Sequence, residues 1–210
     1  GFTRETDDLS IPGFATADPA ERGADEPRGR LRNSASESDG FAGGTAWVGE
    51  RGYVGLAWSA LDATYGLPGP AEEEDGEDEP APFPGPFLDL TQRRLDLRGE
   101  YRVGGLLESV RAAAGYNDYR HTEVEPSGEP GTRFDNEAWQ ARVELRHAPL
   151  AGFRGALGLQ YDDRDLAATG EEAFIPRTRT RAIGVFLAEQ RSLGRAQVQV
   201  GVRVEALAHR

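Results

Sequence analysis

The chain has no cysteine and no methionine, and only 3 histidines in 210 residues. Without cysteine there is no disulfide, no thiol nucleophile and no thiolate metal site. Three scattered histidines support no Ser/His/Asp arrangement. The sequence therefore reads as no enzyme: the paired carboxylates at Asp162, Asp163 and Asp165 lack a placed nucleophile, and Gly128–Arg133 lacks the Lys-Ser/Thr of a phosphate loop. Basic residues are also in deficit, 24 against 36 acidic ones for a net charge of −12, which argues against nucleic-acid binding. No apolar run approaches the 18 or more residues of a membrane helix, and no signal peptide is visible. A chain lacking Met that opens Gly1-Phe2-Thr3 reads as a mature product or an internal piece.

What the chain does have is alternation. Leu95, Leu97, Tyr101 and Val103 interleave with Arg94, Asp96, Arg98, Glu100 and Arg102. The pattern returns at Trp139, Ala141, Val143 and Leu145 against Gln140, Arg142, Glu144 and Arg146. It returns again at Val198 to Val204 against Gln197, Gln199, Arg203 and Glu205. Successive side chains of a strand point to opposite faces, so each run is a strand with one apolar and one charged side. Val54-Leu56-Trp58-Ala60, Val110-Ala112-Ala114-Tyr116 and Phe153-Leu157-Leu159-Tyr161 supply further apolar rows.

The spacing predicts a first short strand within Gly1–Leu9, a polar loop to about residue 32, and then four strand pairs. These are Arg32–Val48 with Gly52–Ala63, Leu88–Arg102 with Ser109–His121, Phe134–His147 with Phe153–Leu166, and Thr178–Arg191 with Ala196–Ala206. Within pairs the turns are short. Between pairs the connections, about 64–87, 122–133 and 167–177, are longer and rich in Pro, Gly and carboxylates. Short turns on one side and long loops on the other are the signature of a transmembrane β-barrel, with aromatic residues near strand ends as interfacial girdles. The fold expected is all-β: about eight or nine meandering antiparallel strands of an up-and-down barrel, the whole of 1–210 forming a partial barrel domain. Segment 64–87 would be a long acidic extracellular loop. Charged rows are too costly to bury dry, so Arg94, Asp96, Arg98, Glu100, Arg142, Glu144, Arg203 and Glu205 are expected to line a hydrated lumen, pairing across neighbouring strands.

Candidate metal ligands are few. His121 and Glu123 share a face of an extended chain and offer two ligands to zinc. Glu73 and Asp75 lie in the Glu72–Glu79 run of seven carboxylates, whose oxygens suit Ca²⁺ or Mg²⁺ better than zinc. The competing readings are an exposed rim histidine and a solvated acidic loop.

The wording of the sequence goes further than its period. Trp47-Val48-Gly49-Glu50-Arg51-Gly52-Tyr53-Val54-Gly55, Asp62 to Gly69, Leu95 to Glu100, Gly115 to Tyr119, Gly131 to Glu137 and Gly201-Val202-Arg203-Val204-Glu205 resemble the barrel of TonB-dependent outer-membrane receptors, nearest the ZnuD-like zinc-uptake branch. The resemblance covers 31–210. It implies the outer membrane of a Gram-negative bacterium and a 22-stranded barrel around a plug domain. It also implies import of a metal ion or metal chelate, zinc or an iron complex, driven through TonB, ExbB and ExbD. The segment itself would bind no cofactor. Its partners would be outer-membrane lipid, the plug and the transported ligand. Two alternatives stay open: a complete small barrel with a structural or adhesive role, and a soluble acidic β-sandwich binding Ca²⁺ or carbohydrate.

Overall fold

The computed structural model describes residues 1–22, 27–68, 85–170 and 173–210. Eleven strands are present among them: β1 (Phe2–Thr6), β2 (Ser10–Phe14), β3 (Arg28–Arg30), β4 (Ser36–Gly49), β5 (Gly52–Gly66), β6 (Phe87–Gly104), β7 (Leu107–Val124), β8 (Pro130–Leu150), β9 (Phe153–Thr169), β10 (Thr178–Leu193) and β11 (Ala196–His209). Nine of them form one antiparallel sheet in the order β1-β4-β5-β6-β7-β8-β9-β10-β11, and β2 pairs with β3 apart from it. Apart from the β2–β3 excursion the sheet is a plain meander. β1 and β11 are its two edges, and they run in the same direction.

The tight turns follow from their residues. Ala151 and Gly152, between β8 and β9, both have positive φ (51° and 81°), the pattern of a type I′ turn. Gly105 and Gly194 take positive φ at the first central position of their turns, where a non-glycine residue would be strained.

Two expectations are corrected. The loop placed at 122–133 is only 125–129, because β7 and β8 continue past the apolar region to pair at Val124 and Pro130. Both faces are polar there, so no apolar alternation announces the strands. The stretch expected as loop to residue 32 contains the β2–β3 hairpin and a 3₁₀ turn at Pro19–Glu21. Asp8 ties that hairpin to the main sheet: its Oδ1 accepts from the amides of Ser34 (2.9 Å) and Ala35 (3.1 Å), while Arg30 lies 3.4 Å from Oδ2.

The register sorts the side chains onto two faces. On the apolar face one hydrogen-bonded row reads Leu56, Leu97, Ala114, Ala141, Tyr161, Ile183, Ala206. No second sheet covers this face among the described residues, and Trp47, Trp58, Trp139, Leu159 and Val204 all stand exposed on it.

The limits of the apolar surface drift across the sheet. On the side away from the turns, the charged residue that ends the apolar rows is Asp62 on β5, Arg93 on β6, Asp118 on β7, Glu137 on β8, Asp163 on β9 and Arg181 on β10; on the turn side the same face also carries His147 on β8 and Glu189 and Arg191 on β10. In register terms that limit descends four residues from β5 to β10, and the tight turns at the other limit descend with it. At 3.3 Å per residue and about 4.8 Å between strands, both drifts correspond to a strand tilt of about 30°. From β5 to β9 the stretch between this limit and the tight turn is about 10–13 residues, close to the length with which a tilted strand crosses a bilayer, and on β10 the Glu189 and Arg191 side chains shorten its apolar part to Ala182–Ala188.

Candidate functional site

The opposite face carries the charged residues. The row Arg98, Ala113, Arg142, Gln160, Gly184, Glu205 lies beside the row Glu100, Arg111, Glu144, Gly158, Phe186, Arg203. All eight residues expected to share one face, Arg94, Asp96, Arg98, Glu100, Arg142, Glu144, Arg203 and Glu205, do share it.

Their pairing is mostly along strands rather than across them. Arg94 donates to Asp96 (2.6 and 2.8 Å), Arg142 to Glu144 (3.2 Å) and Arg203 to Glu205 (2.8 Å from Nε). Glu100 is the exception: it accepts from Arg111 on β7 at 2.9 Å. Same-face neighbours along a strand lie close enough for an arginine to reach a carboxylate, so β6, β8 and β11 each carry a neutralised pair.

Two longer contacts cross an intervening strand, and both pass over a glycine. The Arg142 guanidinium lies 4.3 Å from the centre of the Phe186 ring, with Gly158 between them. Arg203 reaches over Gly184 to donate to Gln160 at 3.2 Å. Any Cβ at 158 would fall 2.0 Å from the Phe186 ring, so the glycine makes room for the stack.

Further from the turns this face becomes aromatic. His121 stacks on Phe134 (4.6 Å between centres) and meets the edge of Tyr119 (5.5 Å). Its Nδ1 is buried and has no hydrogen-bond partner among the described residues. Glu123 pairs with Leu88 one step along β7. Among the described residues no group of three or more His, Asp or Glu side chains is gathered closely enough to hold a metal ion. Glu73 and Asp75, with the rest of the acidic run, lie outside the described residues, as do Glu171 and Glu172.

Just beyond the belt, the apolar face ends in arginine–carboxylate clusters. Asp163 accepts from Arg179 (2.7 and 2.9 Å), Arg181 (3.1 Å) and the Tyr161 hydroxyl (3.0 Å). Asp165 accepts from Arg177 at 2.8 and 2.9 Å, and Asp135 from Arg133 and Arg120. Hydrogen bonds from Arg177 hold the Asp165 carboxyl below the usual carboxylate range, and Arg133 does the same for Asp135. The carboxylates from Asp162 to Asp165 are divided by alternation: Asp163 and Asp165 join these clusters, whereas Asp162 accepts from Gln160 on the other face at 3.0 Å.

Compared with models of known protein families, the chain matches none.

Proposed function

We propose that this chain is part of the wall of a transmembrane β-barrel in the outer membrane of a Gram-negative bacterium, and that the barrel is a TonB-dependent receptor importing a metal ion or metal chelate. The observation that carries the membrane reading is the uncovered apolar belt whose charged limit and tight turns drift together across the register. A soluble sandwich has no need of such a belt, since a sheet packed on another sheet is limited by its partner and not by a slab of fixed thickness. The transport reading rests on the resemblance of the sequence to that receptor family and on the charged opposite face, which suits a hydrated interior.

The direction of the edges favours a larger wall over a small closed barrel. β1 and β11 run parallel, and an all-antiparallel ring needs an even number of strands. β11 could meet β4 in antiparallel fashion, but β1 already occupies the Ser36–Gly40 part of that edge.

Tryptophan emission tests the membrane reading, because all 3 tryptophans, Trp47, Trp58 and Trp139, stand on the apolar face. The chain refolded into phosphatidylcholine vesicles should lose most of its emission when the lipid is brominated and little when acrylamide is added outside. Strong acrylamide quenching with no effect of bromine would overturn the reading in favour of a soluble sheet. Uptake is tested separately, by restoration of metal-chelate import in cells lacking their own receptor and carrying the gene from which this chain comes.

A further inference from the structure

The chain is acidic overall, but the turn end of its polar face is basic. Arg102, Ser109 and Arg146 occupy one hydrogen-bonded row on β6, β7 and β8. Arg154 sits nearer the turn on β9, opposite Gln190. Arg111, one pair above Ser109, is already bound to Glu100. Arg102, Arg146 and Arg154 have no carboxylate within ion-pair distance among the described residues, whereas most of the other arginines on this face do. Around the three, the same face presents Ala156, Ala188, Gln190 and Gln199, and the carboxylates of the next row, Glu100 and Glu144, are bound to Arg111 and Arg142.

We infer that this patch binds a small solute carrying two or more carboxylate or phosphate groups. Arg102 and Arg146 are two strand spacings apart, about 10 Å between backbones, a span that two long side chains close over one bound anion. Guanidinium groups fork two hydrogen bonds onto each carboxylate or phosphate. Ser109 lies between them with 5% of its surface exposed, although no second sheet covers this face among the described residues. Three like charges with no carboxylate partner of their own repel one another, and a polyvalent anion removes that repulsion.

The inference rests on the wall reading for its meaning in transport: the patch then lines the interior, and metal crosses as an anionic chelate rather than as a bare cation. The binding itself is testable without it. The chain in dodecyl maltoside micelles is titrated calorimetrically with citrate and, separately, with zinc chloride. Citrate should bind saturably, and its Kd should rise about tenfold or more between 50 and 300 mM salt, as expected for ion pairing in water. The combined Arg102→Gln, Arg146→Gln, Arg154→Gln variant should weaken citrate at least about tenfold, and Arg164→Gln, at the other end of the same face, should leave it unchanged. Should the combined variant lose its strand signal in circular dichroism, Arg154→Gln alone is used, with about a threefold loss expected. No saturable citrate binding by the folded chain, equal binding by the folded variants, or zinc binding in place of citrate would overturn the inference. Citrate binding by a chain that fails the bromine test keeps the anion site and discards the wall.

Discussion

His147 on β8 and Glu189 on β10 are joined by a 2.9 Å contact between Nε2 and Oε1, although β9 lies between their strands. The strand between offers Gly155 at that point, and the two side chains meet above it. Nδ1 of the same ring lies 2.7 Å from the Ala148 carbonyl, so both ring nitrogens face acceptors. The pair stands on the apolar face near the turns, where each charge alone would be costly. At Gly155 a Cβ would fall 2.3 Å from the Ala188 carbonyl oxygen and 2.4 Å from the Glu189 carboxyl carbon. Gly155→Ala should therefore lower the unfolding free energy in micelles by about 2 kcal/mol or more, measured by urea titration. An unchanged midpoint would show that the contact is not needed.

The β8–β9 turn holds a non-glycine residue in left-handed conformation, Ala151 at φ 51°. Asparagine tolerates that region better than alanine, and a β-branched residue tolerates it worse. Ala151→Asn should raise stability by about 0.5–1 kcal/mol and Ala151→Val should lower it by at least as much. Equal unfolding midpoints for the two variants would refute the turn assignment.

Asn33 fastens the ends of the connection between β5 and β6. Its side-chain amide donates to the Leu67 carbonyl (2.9 Å) and to the Pro86 carbonyl (2.7 Å), beside the backbone bond from Leu67 to Pro86 (3.0 Å). Removing the amide takes this donor from the Leu67 carbonyl and leaves the Pro86 carbonyl with the Leu67 backbone amide. Asn33→Ala should cost about 1–3 kcal/mol locally, read as faster hydrogen exchange at the Gly66 and Leu67 amides. Exchange as slow as in the parent chain would mean that the backbone bonds suffice.

Acid should loosen the strand ends beyond the belt before it touches the belt. Asp165 and Asp135 are held below their ordinary range by arginine hydrogen bonds, so their contribution is present above the unfolded value near 4 and is lost as pH falls through the lower folded value. Amide exchange at Leu166 and Asn136, measured between pH 6 and pH 2 and corrected for intrinsic rates, should show protection falling below about pH 4. Protection constant over that range would mean that these pairs stabilise nothing.

Alternation made the strands, their faces and the short turns legible, because a period of two is written directly in residues such as Leu95 to Val103. The ends of β7 and β8 were hidden for the same reason: from Asp118 to Val124 and from Pro130 to Glu137 neither face is consistently apolar, and cross-strand pairs such as Arg120 with Asp135 replace the pattern. The spacing of His121 and Glu123 does place both on one face, but it says nothing of Phe134, which arrives from the next strand and stacks on the ring. Contacts such as His147–Glu189 and Arg142–Phe186 join residues more than 40 positions apart. The only signal available beforehand was a glycine within a strand, at 155 and at 158, flanked in space by long side chains.

The slanted limits of the belt have a consequence for errors in pairing. A slip of one residue between neighbouring strands turns a face inside out and is obvious. A slip of two preserves every inside and outside position, and alternation alone does not forbid it. Here it would shift one strand lengthwise by about 6.6 Å against the next, dragging Asp163 or Arg181 among leucines and valines or pushing Tyr161 out among the carboxylates. The stagger acts as a vernier scale, and it penalises the one misalignment that the two-faced pattern leaves free.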